Sequence, residues 1–151
     1  MYTHRSRGFT LIELLVVIAI IGILSAVVLA SLNTARVKGN NAAIQSNLST
    51  VQTQAEVYYG DHNNTYNNGG TAATVCSAAT SMFMTDNNIK KAIAQAKNAN
   101  GNRDLACFAT DLVYAVSSLQ AGSTTKYWCV DSTGLTGETS GPATATGCPV
   151  S

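Results

Sequence analysis

Arg7-Gly8-Phe9-Thr10-Leu11-Ile12-Glu13, followed by the uncharged run LLVVIAIIGILSAVVLASL from Leu14 to Leu32, decides how this chain is built. As a helix rising 1.5 Å per residue, that run is roughly 28 Å long, against ~30 Å for the hydrocarbon core of a bilayer. A carboxylate at the edge of such a segment is out of place. It costs about 2.5–3.5 kcal/mol at the centre of a membrane helix and less near an interface. A chain that carries Glu13 there is expected to give it a partner. Thr10-x-x-Glu13 also fits a capping box, in which the threonine oxygen and the carboxylate satisfy amides at the helix start.

A secretory signal peptide is the first alternative. Arg5 and Arg7 would be its basic region, Leu14–Leu24 its apolar region and Val28-Leu29-Ala30 its cleavage site. Two features argue against it. The helical pattern runs straight through Ala30 with no turn-forming residue, and an acidic residue separates the basic and apolar regions. Neither this alternative nor a bare membrane anchor explains the Gly8-Phe9 pair.

The segment Phe9–Leu24 resembles the N-terminal helix of type IV pilins, and the resemblance covers about the first 35 residues. It implies a short basic leader, Met1–Gly8, and cleavage between Gly8 and Phe9 by a prepilin peptidase. It further implies N-methylation of Phe9 and an assembly role for Glu13, whose filament partner would be the amine of Phe9 on a neighbouring copy. The partners implied are copies of the chain itself, the peptidase, an assembly ATPase and a membrane platform. The chain departs from many pilins at Ala30, where a helix-breaking proline often stands, so the local cause for melting there is missing.

Net charge and cysteines set further bounds. The formal charge is +1, and loss of Arg5 and Arg7 with the leader would make it −1. No basic run attracts nucleic acid, and weak net charge suits packing of many copies. Cys76, Cys107, Cys129 and Cys148 all lie beyond the apolar helix. An even number in a small exported domain argues for two disulfides. Metal binding is the rival, but C-x-x-C spacing is absent and His62 is the one histidine beyond the leader. Three pairings are possible, and spacing favours Cys76–Cys107 with Cys129–Cys148. The cysteines also put the domain that bears them on the oxidising side of the membrane, where the basic residues flanking the helix leave orientation balanced.

Beyond Leu32 the helical period continues. Ile44, Leu48, Val51, Ala55 and Tyr58 form one apolar stripe on an otherwise polar helix that Gly60 and its polar successors end. A helix from Phe9 to Tyr59 is roughly 77 Å long, too long for a small domain to bury. Gly39-Asn40-Asn41 is its weakest stretch, where a bend or soft spot is expected. Asp86 reads as a cap for a helix over Asn88–Asn98 that Gly101 ends. Leu112–Leu119 and Thr125–Asp131 read as strands joined by a turn at 120–124, and Ser140–Gly147 as loop. The expected fold is α+β, with the helix stripe lying on a small antiparallel sheet. Its divisions are a leader at 1–8, a membrane and filament helix at 9–32, an amphipathic continuation at 33–59 and a head at 60–151.

Chemistry is thinly represented. His62 in a loop reads as solvated, and no nucleophile–base pattern, cofactor motif or metal site is expected. Asp131-Ser-Thr-Gly134 through Glu138 is a weak calcium-loop candidate without the alternating acidic ligands of a strong one. What the pilin resemblance implies is a structural function: a pilus subunit, a major one, serving motility, adhesion or DNA uptake. The alternatives are a pseudopilin of a secretion or competence apparatus, and a monomeric membrane-anchored binding domain.

Overall fold

A computed structural model describes residues 8–68 and 70–149. Of the expected leader, all but Gly8 lies outside the described residues. The order of elements is α1 (Leu11–Asp61), α2 (Met82–Thr85), α3 (Asn87–Ala99), β1 (Ala106–Ala109), β2 (Tyr114–Leu119), β3 (Tyr127–Asp131) and β4 (Thr136–Thr139). The fold is α+β, and the chain divides into two units between Arg36 and Val37, inside α1.

In the first unit, every described residue is exposed, including all the large apolar side chains from Leu11 to Leu32. The helix is long and apolar enough to cross a membrane. Two of its hydroxyls bond back to their own helix. Ser31 Oγ donates to the Val27 carbonyl at 3.0 Å and Thr34 Oγ1 to that of Ala30 at 3.3 Å, the back-bonding that lets such residues sit in a helix with no outside partner.

The second unit is built on the stripe. Ile44, Leu48, Val51 and Ala55 are wholly buried and Tyr58 nearly so. Each large side chain buried this way stabilises by about 1.5–3 kcal/mol. They lie on a four-stranded antiparallel meander in the order β1-β2-β3-β4. Alternation along its strands gives the sheet two faces. Cys107, Tyr114, Val116 and Val130 join the helix core. Ser117, opposite Cys129, and Ala115, opposite Asp131, point the other way.

That outer face is covered by the chain's last segment. The Cys129–Cys148 disulfide fastens it, the Ala143 amide donates to Ser117 Oγ at 2.7 Å and the Cys148 amide to Asp131 Oδ2 at 3.0 Å. Gly147, at φ +111°, runs so close that a Cβ would stand 2.9 Å from Asp131 Oδ2. Ser140–Gly147, expected as loop, is thus a strap. On the opposite edge, Cys76–Cys107 and paired hydrogen bonds between Ala73 and Ala109 cover β1.

α3 begins where Asp86 Oδ1 accepts from the Asn88 and Ile89 amides, both at 2.8 Å, and it buries Ile89, Ala92 and Ala96. Two expectations need correction. Helix α1 runs unbroken through Gly39-Asn40-Asn41. The site is a docking point, where Asn41 Oδ1 accepts from the Ala121 amide at 2.7 Å and Gly122 passes against Val37. His62 is half-buried, not merely solvated. Its ring stacks on Tyr58 at 3.8 Å, and Nδ1 donates to the Tyr58 carbonyl at 3.0 Å.

Two measurements test this packing. Leu48→Ala should lower the unfolding free energy of the head by about 2–5 kcal/mol, while exposed Ser49→Ala should change it by less than about 0.5 kcal/mol. Trp128, the single tryptophan, reports both. Asp131 supplies the second. Burial raises its pKa, but hydrogen bonds from Thr133, Cys148 and Leu135 outweigh that and hold it below the ordinary 3.8. A depressed folded pKa means stability that is present above the ordinary value and lost as pH falls through the folded one. Asp131→Asn should therefore cost about 1–3 kcal/mol at neutral pH and flatten the acid limb of the stability curve below about pH 4.

Candidate functional site

The residues singled out by sequence at the N-terminus lie together because they are close in the chain. Thr10 stands just before α1. Its amide and its hydroxyl both donate to Glu13 Oε2 at 2.8 Å, and its Oγ1 accepts from the Glu13 amide at 3.2 Å. This is a closed capping box. It holds the Glu13 side chain against the helix start, where the positive end of the helix dipole favours negative charge. Gly8 precedes it with open space around its Cα. Phe9 is 87% exposed. Gly8 and Phe9, the expected cleavage junction, are thus both exposed.

The capping box answers part of the question raised by Glu13. Its Oε2 has donors from its own chain, while no described hydrogen bond reaches Oε1 and no described cation pairs with it. The carboxylate is oriented but keeps its charge.

The head holds the four cysteines in two disulfides, Cys76–Cys107 and Cys129–Cys148. The calcium-loop candidate is differently occupied. Asp131 Oδ1 accepts from the Thr133 amide, the Thr133 hydroxyl and the Leu135 amide, while Oδ2 accepts from Cys148. Glu138 accepts from Gln120 and pairs with Lys126 at 2.8 Å. Both carboxylates serve structure. Among the described residues no group of three or more His, Cys, Asp or Glu is placed to hold a metal.

Two features of the head escaped the sequence. One is an apolar cavity of about 440 Å³ beside α3, lined by Val75, Phe83, Ile93 and Leu105 with Lys90 and Lys97 at its wall. Asp104, also in that wall, is committed to Lys97 at 2.6 Å. The other is a tyrosine cluster, in which Tyr66 packs against Tyr59 and, edge-on, Tyr114. Tyr66 donates to Glu56 at 3.0 Å. Burial is the main cause that pushes both the Tyr66 and Tyr114 phenols far above their ordinary range, so they remain neutral. Adjacent tyrosines at 58 and 59 were the visible signal, but their partners come from distant positions.

Comparison with known proteins agrees with the N-terminal reading. Residues 3–29 match the family described as the prokaryotic N-terminal methylation motif. Over 60 residues the chain is 43% identical to the type IV wide pilus major component PilA4 of Thermus thermophilus, a match covering 40% of this chain and 46% of that one. It is 33% identical over 60 residues to the type IV major pilin protein PilA of Myxococcus xanthus, covering 40% of this chain and 27% of that one. The match thus spans less than half the length of these relatives. No solved structure matches. The N-terminal segment thus carries the prokaryotic N-terminal methylation motif and is similar to the corresponding segment of type IV major pilins.

Proposed function

We propose that the chain is a structural subunit of a type IV pilus, made as a membrane precursor, cleaved after Gly8 and polymerised through its N-terminal helix. One observation carries the reading: among the described residues the part of α1 from Leu11 to Leu32 is exposed throughout, yet it begins with a carboxylate held in a fixed pose. Lipid covers such a helix first, with the head on the oxidising side of the cytoplasmic membrane. Neighbouring copies cover it in an extracellular filament. The prepilin peptidase, the assembly ATPase and the membrane platform are the further partners, and the role is structural rather than enzymatic. The names of the relatives, both major pilins, favour the pilus over a pseudopilin of a secretion or competence apparatus.

Glu13 supplies the assembly chemistry. After cleavage, the amine of Phe9 on a neighbouring copy is the cation that suits it. The pair neutralises two charges that are each costly alone in apolar surroundings, and it favours one axial step between copies. Motility, adhesion and DNA uptake are the outcomes such a filament serves.

Processing is tested by mass spectrometry of protein sheared from producing cells. A mature terminus at N-methylated Phe9 is expected, and a terminus at Ser31 would mean an ordinary signal peptide. Assembly is tested by Glu13→Gln, which keeps size and removes charge. Normal insertion and cleavage with few or no fibres by electron microscopy is the expected result. Abundant fibres of wild-type appearance would reduce Glu13 to a helix cap.

A further inference from the structure

The head has two chemically different ends. At one, Asn41 of α1 holds the β2–β3 turn, and Arg103 donates to the Ser123 carbonyl in that turn at 2.8 Å. Lys38 and Lys126 belong to the same end. Its two carboxylates are already paired, Asp104 with Lys97 and Glu138 with Lys126. Lys38 and Arg103 are left without an anionic partner among the described residues, so this end is basic.

At the other end, α1 stops at Asp61. The Tyr66 amide donates to the Asp111 carbonyl in the β1–β2 turn, and Gln52 donates to the Asp131 carbonyl at the β3–β4 turn. The meander puts these two turns at the same edge, because β2 begins where β3 finishes. Glu56, Asp61 and Asp111 therefore share this end. No Lys or Arg occurs anywhere between Lys38 and Lys90, and neither turn carries one; the start of α3, held here by the Thr85–Tyr58 and Asn88–Gln54 bonds, adds Asp86, with Lys90 and Lys91 one turn further along, so this end is acidic on balance. Leu112, 71% exposed, Leu135 and Val57 add apolar surface to it.

Asp61 is the telling residue. It sits in the last turn of α1, a turn without a basic side chain, where the helix dipole disfavours negative charge. No described residue of its own chain pairs with it. Asp61 is thus an exposed anion without a cationic partner among the described residues of its own chain.

We infer that the acidic end of one head docks on the basic end of another copy of this chain. The contact is heterologous, with different surfaces on the two partners, and a heterologous contact that does not close on itself generates an open filament. Charge complementarity selects the orientation, since reversing one copy sets acidic end against acidic end. Screening over about 8 Å at physiological ionic strength confines the effect to copies in contact. This inference rests on the polymerising role proposed above and adds to it a head-to-head contact separate from the Glu13 helix contact.

The test uses the full chain in cells that carry its assembly apparatus, reading filament protein sheared from the surface against precursor in the membrane. The variants are Asp61→Lys, Lys38→Glu and the two together. Each single reversal should lower the filament-to-precursor ratio about fivefold or more, and the double reversal should return it to within about twofold of wild type. Asp61→Lys improves the match to the helix dipole, so its loss of filament cannot be ascribed to a weaker α1. Should a reversed chain not accumulate as precursor, Asp61→Asn and Lys38→Gln decide on the same readout, with about a twofold loss expected. Wild-type filament yield from all variants, or single losses that the double variant does not repair, would overturn the inference. Absence of filaments from the wild-type chain would instead remove the subunit reading itself.

Discussion

The apolar surface of α1 before Arg36 is the constraint on which everything else in this molecule depends. The large apolar side chains from Leu11 to Leu32 are all exposed. At about 25 cal/mol per Å² of apolar area, leaving them in water is strongly unfavourable. The segment is thermodynamically complete only in lipid or against other helices. The chain tolerates this because its head does not need the segment. All four cysteines, the buried stripe and the whole sheet lie beyond Val37, so the head keeps its structure whichever environment the apolar helix occupies.

Glu13 is where the two environments meet. Thr10 fixes the carboxylate through contacts three residues apart, and nothing cationic in the described chain neutralises it. A helix start that serves as both cap and unpaired anion suits a membrane interface, where water is near. It suits an apolar filament interior only when a cation arrives with the neighbouring copy. The same carboxylate can thus be quiet in one setting and decisive in the other without any change in its own conformation.

What the sequence made legible was local or strictly periodic. The stripe from Ile44 to Tyr58 shows as steps of three and four, and all five residues are buried. Asp86 announces α3 because a cap acts on amides two and three residues away. The Thr10–Glu13 box was readable for the same reason. Other elements were not. β1 is four residues, Ala-Cys-Phe-Ala, and β4 is Thr-Gly-Glu-Thr. Neither carries enough β-branched or aromatic residues to stand out, and both are strands because β2 and β3 offer them partners. The strap over the outer face depends on Ser117 meeting Ala143 and Asp131 meeting Cys148, pairings that only tertiary structure creates. The segregation of charge between the two ends of the head is similarly invisible in a linear count near zero.

The placement of the disulfides bears on how such a subunit carries force. Cys76–Cys107 and Cys129–Cys148 each close a loop within the residues that follow α1, and neither staples α1 to the sheet. A pull along α1 therefore meets no disulfide between that helix and the sheet, and the backbone beyond Asp61 is its covalent link to the rest of the head. Sliding of the helix is resisted by five buried side chains on the sheet and by side-chain hydrogen bonds, among them Asn41–Ala121, Tyr66–Glu56, Thr85–Tyr58 and the weaker Gln52–Asp131 one at 3.5 Å. Under tension the crosslinked part of the head would stay intact while its grip on the helix gave way, so the mechanical limit of the subunit is set by packing rather than by sulfur.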